Sequence, residues 1–513
     1  MIDSKAPARG TAILWLRRDL RLSDHYALLR ACRDYDHVIP VFILFEDAFS
    51  LQGKKNSHSW ALGGAQRWWL YHSLKQFDKS LKELGSKLIL RHGDPLKEIP
   101  ALVKETGASA VLWHRIYESQ IAAMDDKVVE SLSSLQGLGE ITCKALPHSG
   151  DLLHAPEAVK SGSGTPFKVF TPFWRCIVKM GAPAEPFPAP KAIPAPLDWP
   201  KSLELRDFHL EARAKWAFTI AEAWVPGEDG AKARLRAFNE EKAVRYVPDR
   251  DIPSIKGVSR LSPHLHFGEI TVRQIWHSFR DSTKGGFDLR FEPYRRQLGW
   301  REFARHSLWH FPDAPRAAMR AEFELFPWRR KGSGVSRDLR AWQRGMTGYP
   351  LVDAGMRELW KTGWMHNRVR MVVGSFLVKN LRIHWLEGAE WFWDTLVDAD
   401  LANNTMGWQW AAGCGFDAAP YFRVFNPVLQ GQRFDPDGLY IKKWVPELKQ
   451  LSAKFIHAPW DVSEAELLKA GIILGNSYPK PVVDPAKGRE LALEAYETMK
   501  NLRQTSKSSN TLE

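Results

Sequence analysis

Four short apolar runs near the start of the chain, 11–16 (TAILWL), 38–45 (VIPVFILF), 87–91 (KLILR) and 109–113 (SAVLW), read as buried strands. Between them, 64–84 and 95–106 carry helical periodicity. Strands alternating with helices build right-handed βαβ units, so residues 1–140 are expected to form a Rossmann-like α/β domain around a parallel sheet. The stretch 181–200 (GAPAEPFPAPKAIPAPLDWP) is rich in Pro and Ala and reads as extended chain, within a connector spanning 141–227. From 228 to 500 the pattern is helical with few β-branched runs, which predicts a large all-α domain. Residues 501–513 are polar and read as a disordered tail.

Composition narrows the class. The chain has 513 residues, 44% hydrophobic and 26% charged, which suits a globular protein of two or three domains. Its formal net charge of +13 points to a polyanionic partner, with nucleic acid first, because no lipidation motif or basic amphipathic helix argues for a membrane. The expected location is the cytoplasm: no run approaches the length of a membrane span, and no apolar leader is seen. The four cysteines, Cys32, Cys143, Cys176 and Cys414, have no CxxC spacing, which argues for a reducing compartment and against a zinc or iron–sulfur site. His264 and His266 lack further ligands in range, so no metal is expected. The Gly-rich stretches 161–164 (SGSG) and 332–334 (GSG) are not followed by Lys-Ser or Lys-Thr and read as loops rather than phosphate cradles.

Two runs stand out for mixing Trp with amides and charges. Residues 364–371 (WMHNRVRM) would put Trp364, Asn367 and Met371 at i, i+3 and i+7 on one helical face, suited to a flat, partly polar ligand. Residues 398–427 (DADLANNTMGWQWAAGCGFDAAPYFRVFNP) place Asp, Asn, two Trp and an Arg together. A third segment, 246–262, ends in Gly257-Val258-Ser259-Arg260-Leu261-Ser262 ahead of a helix, where hydroxyls and unpaired N–H groups favour an anion.

These runs, in this order, resemble the photolyase/cryptochrome family. RRDLRL (17–22), FKVFTPFW (167–174), QLGWREF (297–303), TGYPLVDAGMREL (347–359) and YPKPVVD (478–484) extend the resemblance over nearly the whole chain. It is nearest to the microbial class I photolyases for cyclobutane pyrimidine dimers. The resemblance implies FAD in the helical domain and UV-damaged DNA as partner, with the protein monomeric. It assigns the flavin to Tyr246, Ser259, Leu261, Ser262, Arg301, Asn367, Arg370, Asp398, Asp400 and Asn404. Asn404 would face the flavin N5. Trp408, Trp385 and Trp328 would relay electrons, and Trp300, Trp410, Asn367 and Met371 would line the lesion pocket. Arg250, Arg368 and Arg423 would meet phosphates.

The chain also departs from that pattern. Val258 stands where the family usually has Thr. Gln297 stands where dimer photolyases place a Glu that stabilises charge on the lesion. Gln is common there in (6-4) photolyases, so (6-4) or dual specificity is an alternative. The histidines of a (6-4) pocket would fall at Asn367 and Met371 and are absent. A blue-light receptor is a further alternative, although a long C-terminal extension or an acidic residue at 404, both expected of one, is missing. The antenna chromophore stays open between methenyltetrahydrofolate, a deazaflavin, a second flavin and none; Glu118 lies where the family's folate-binding carboxylate would sit.

Overall fold

The computed structural model describes residues 10–45, 60–139, 143–148, 150, 152–211, 216–279, 288–329, 332–418 and 422–509. Five parallel strands lie in the order β3-β2-β1-β4-β5: β1 (Thr11–Leu16), β2 (His37–Leu44), β3 (Ile89–His92), β4 (Ala110–His114) and β5 (Lys144–His148). The connections run through α1 (Tyr26–Asp34), α2 (Gly64–Glu83), α3 (Pro95–Thr106) and α4 (Ser119–Gly137). The four expected strands and both expected helices are present within two residues at each end. For α3 the ends are written in the sequence: Asp94 accepts from Leu96 N at 3.0 Å, Pro95 opens the helix, and Gly107 closes it at φ 63°.

The sheet interior is apolar. Ile13 lies opposite Ile39 on one side and Val111 on the other, and Val41 opposite Ile89; all are buried together with Trp15 and Trp113. Ile99, Leu102 and Val103 of α3 and Val128 and Leu132 of α4 cover that layer. The fifth strand lies beyond residue 140 and escaped the pattern reading. Its sequence, KALPH, is half polar, and Pro147 is tolerated because the strand is at the sheet edge.

The chain divides into two compact units that alternate in sequence. The first takes 1–217, 224–241 and 259–312, and the second takes 218–223, 242–258 and 313–513. The first adds α5 (Phe170–Lys179) and α6 (Glu292–His310) to the sheet. The second is helical, with α7 (Ser333–Arg344), α8 (Pro350–Thr362), α9 (Asn367–Ser375), α10 (Trp385–Thr395), α11 (Leu401–Ala412) and α12 (Pro485–Ser509).

Three expectations need correction. The region 141–227 is more than a connector, since it carries β5 and α5. The tail does not begin at 501: α12 runs to Ser509, anchored upstream by Ala492, Ala495 and Met499, a buried stripe at i, i+3 and i+7. Gly332 is the N-cap residue of α7, so GSG is a helix start. The tips 1–9 and 510–513 lie outside the described residues. No helix among the described residues is long and apolar enough to cross a membrane.

Candidate functional site

In the second unit the WMHN run forms a corner rather than a continuous helical face. Gly363 takes φ 66° and ends α8, and α9 begins only at Asn367. His366 is its N-cap, with Nδ1 accepting from Arg368 N at 3.2 Å. Trp364 therefore lies off the helix, its N and O both bonded to Thr362 Oγ1 (3.2 and 3.1 Å). Asn367 and Met371 do meet, one turn apart, at 4.0 Å. The expectation failed because His is not an obvious cap. Here His25, His366 and His384 all cap helices through Nδ1.

Arg370 is locked at both ends of its fork. Its Nη2 donates to both Asp398 oxygens (3.0 and 2.9 Å) and its Nε to Met365 O at 2.8 Å. Asp400 caps α11, accepting from Asn403 N at 3.0 Å. One turn in, buried Asn404 donates from Nδ2 to Ala389 O of α10 at 3.0 Å. That bond sets the amide orientation and turns Oδ1 away from Ala389. Trp408 follows one turn later against Gly388, where a Cβ would lie 2.1 Å from the indole; only Gly lets α10 come this close. Trp385 opens α10 and is also buried. The His384 ring stacks on Trp385 at 5.6 Å and meets Trp328 edge-on at 5.0 Å, so His384 lies between these two tryptophans; Trp408 and Trp385 are buried and Trp328 is partly exposed.

The remaining residues of this unit spread further. Burial pushes the Tyr246 phenol up to about 12, and the Arg250 guanidinium lies 5.7 Å from its ring. Arg368 pairs with Asp251 at 2.9 Å and covers Phe434 at 4.4 Å. Trp410 is half-buried, 6.3 Å from Phe425, and the exposed Arg423 covers the Phe425 ring at 5.9 Å.

In the first unit, two sequence blocks explain each other. Phe170 stacks on Trp300 at 3.7 Å and 8°, Phe173 packs on Phe303 at 5.2 Å, and a Cβ at Gly299 would lie 2.4 Å from Trp174. FKVFTPFW is thus the bed for QLGWREF. Phe170 covers one face of Trp300, which is otherwise partly exposed. Gln297 Nε2 reaches back to Pro293 O at 3.4 Å. Arg301 is buried and pairs with Glu302 at 3.1 Å, while Glu302 also accepts from Leu153 N at 2.8 Å. Ser259 accepts from Tyr294 OH at 2.8 Å, which leaves its own proton to donate. Leu261 is buried at the start of the single turn Ser262–His266, with Arg260 at φ 54° just before it.

Several buried charges of this unit are already used. Asp19 accepts from the His114 ring (2.9 Å) and faces the His25 ring (3.3 Å). Burial opposes ionisation of Asp19, but the two imidazole hydrogen bonds win and hold its carboxyl well below the usual range. The other nitrogens accept from Leu28 N (3.1 Å) and Ala27 N (3.4 Å), so every ring nitrogen of the trio faces a protein group. Glu118, singled out for a folate, is buried and held by Arg18 and by Arg305 at 3.5 Å, so it is not an open carboxylate. His264 bonds to buried Glu269 at 2.5 Å, the role of a structural histidine.

Comparison with known proteins decides the family. Residues 12–191 match the DNA photolyase family model, and residues 294–498 match the model for the FAD binding domain of DNA photolyase. A deoxyribodipyrimidine photo-lyase of Agrobacterium fabrum is 43% identical, over 95% of this chain and 98% of that one. Cryptochrome-1 of Arabidopsis thaliana is 36% identical, over 94% of this chain and 69% of that one. The chain belongs to the photolyase/cryptochrome family. Among solved structures, a bacterial class III photolyase from Agrobacterium tumefaciens superposes with a TM-score of 0.88 at 42% identity, covering 98% of this chain and all of that one.

As a member of this family the chain carries an FAD-binding domain, and its residues suit that cofactor. On α11, Asn403 and Gly407 are exposed and a Cβ at Gly407 would meet nothing within 4 Å, while Thr405 Oγ1 and Trp408 Nε1 are buried without a hydrogen-bond partner among the described residues. An open small-residue face beside a fixed amide and a locked arginine suits a flat ring with polar edges.

Sequence reasoning missed what stands behind these groups. Glu358 Oε2 accepts from Tyr440 OH at 2.7 Å and from His366 N at 3.3 Å, so it pins the corner that presents Asn367. Asp353 accepts from Thr347 N, Thr347 Oγ1, Gly348 N and Tyr478 OH (2.7, 2.6, 3.0 and 2.7 Å). That knot ties TGYPLVD to YPKPVVD. The signal available was a pair of carboxylates at 353 and 358 inside an apolar helical pattern.

Proposed function

We propose that this chain is a light-driven DNA-repair enzyme that opens cyclobutane pyrimidine dimers. FAD, when bound, supplies light absorption and the one-electron exchange that splits the dimer. The protein does the rest. Arg250, Arg368 and Arg423 meet phosphates, giving affinity that is independent of sequence and falls with salt. Trp300 and Trp410 offer aromatic faces to bases taken out of the stack, photolyases being themselves a standard example of base flipping. Tyr246, Ser259, Leu261, Ser262, Arg301, Asn367, Arg370, Asp398, Asp400 and Asn404 hold the flavin. The uncharged Asn404 tolerates an anionic ring that a carboxylate would repel at short range. Trp408, Trp385 and Trp328 carry electrons in from solvent. Replacing Trp385 with Phe should slow photoreduction of the oxidised flavin and spare repair by chemically reduced protein; unchanged photoreduction would remove the relay.

The observation that supports dimers over (6-4) photoproducts is the Asn367–Met371 contact, where a (6-4) pocket needs histidines. Gln297 supports the second reading, because its carboxamide cannot supply a proton as the usual Glu would. The Agrobacterium structure favours a class III assignment over the class I grouping suggested by sequence. The test gives the reduced protein two oligonucleotides, one with each lesion, under blue light and in the dark. Light-dependent repair of the dimer alone supports the main reading. Repair of the (6-4) lesion would make Gln297 a specificity determinant. Repair of neither would move the chain towards light sensing.

A further inference from the structure

The segment Phe422–Phe425 belongs to no helix or strand, yet it carries Arg423 and sets Phe425 beside Trp410. Two side chains from one helical run hold its main chain. Ser375 Oγ accepts from Phe425 N at 3.4 Å, and Lys379 Nζ donates to the Arg423 carbonyl. Ser375 ends α9, and Lys379 sits in the π-helical turn Phe376–Asn380 that continues it. Being four residues apart, both point to the same side. Widened turns of this kind are rare and gather at functional sites.

Lys379 is an expensive choice for that position. It is 5% exposed and makes no ion pair among the described residues, and its ammonium lies 4.6 Å from the centre of the Phe422 ring. Burying a cation without a carboxylate is strongly unfavourable, and a Met would fill the same space at no such cost. Burial pushes the Lys379 pKa down to about 7; Cys414 opposes the shift and the nearby Arg423 charge adds to it. The benefit that retains the group is the carbonyl it grips.

We propose that Lys379 is a positioning residue that, through the Arg423 carbonyl, fixes the loop presenting Arg423 and Phe425 to DNA beside the lesion. The DNA part rests on the repair reading above, and the grip itself does not. Lys379→Met removes the donor at similar volume, and Lys379→Gln keeps an N–H. In the FAD-loaded protein without DNA, hydrogen exchange at residues 422–425 should quicken in the Met variant and stay nearer wild type in the Gln variant. With a dimer-containing duplex, the Met variant should bind about tenfold more weakly, while turnover at saturating DNA and the flavin spectrum stay unchanged. Arg423→Ala should weaken wild-type binding but add little in the Met background. Unchanged exchange in Lys379→Met, or fully additive losses with Arg423→Ala, would overturn the proposal. If the wild-type protein does not bind the damaged duplex, the repair reading fails, and the exchange result alone decides whether Lys379 holds the loop.

Discussion

The sheet interior of the first unit and the buried faces of helices α8–α11 of the second are both closed to solvent, but by different chemistry. Around Ile13, Val41 and Val111 the contacts are apolar and non-directional. Around Asp353, Glu358 and Asp398 each buried carboxylate has named donors at fixed distances, and Asn404 donates to a named carbonyl. Apolar burial rewards volume and tolerates exchange, whereas a buried carboxylate is stable only while its donors stay in place. The helical unit thus holds Asn404, Arg370 and the corner before Asn367 by directional bonds, which suits a site that must keep an aromatic cofactor in register.

That contrast can be broken or sharpened by substitution. The largest effect should come from Asp353→Ala, which strands four donors and should cost about 3 to 5 kcal/mol in denaturant unfolding; a loss under about 1 kcal/mol would show the knot to be incidental. Next, Gly388→Ala forces a methyl against Trp408 and should cost about 1 to 3 kcal/mol, with photoreduction altered as well. A normal melting point and normal photoreduction would mean that α10 has room to shift.

Acid should act more mildly and in a set direction. Burial pushes the His366 imidazole down to about 4, below the usual value of 6.5. Between those values the unfolded chain binds more protons than the folded one, so stability falls as pH drops through that window. His366 alone should cost about 2 kcal/mol between pH 7 and 5. Asn at 366 would keep a cap without titrating, so His366→Asn should flatten the slope; an unchanged slope would assign the acid sensitivity elsewhere. The smallest change is in the sheet, where Ile13→Val should cost about 1 kcal/mol by calorimetry. A loss as large as that of Asp353→Ala would erase the distinction between the two regions.

Legibility followed the same division. The strands and α3 were readable because apolar runs and caps are local signals. The WMHN corner was not, because His366 caps it and Glu358 and Tyr440 pin it from elsewhere in the chain. Glu118 looked like a ligand-binding carboxylate until Arg18 and Arg305 were seen on it. That Phe170 covers one face of Trp300 was equally out of reach, because 130 residues separate them.

The sequence by itself determined the α/β and helical division, the order of the motif blocks and the chemical kinds in the candidate site, since periodicity and residue type are properties of neighbours along the chain. Only the tertiary structure decided which charges are spent on one another, which face of an aromatic is covered, and that Lys379 grips the Arg423 carbonyl. Those outcomes depend on groups tens to hundreds of residues apart, and their energies depend on distance and burial, which no local pattern encodes.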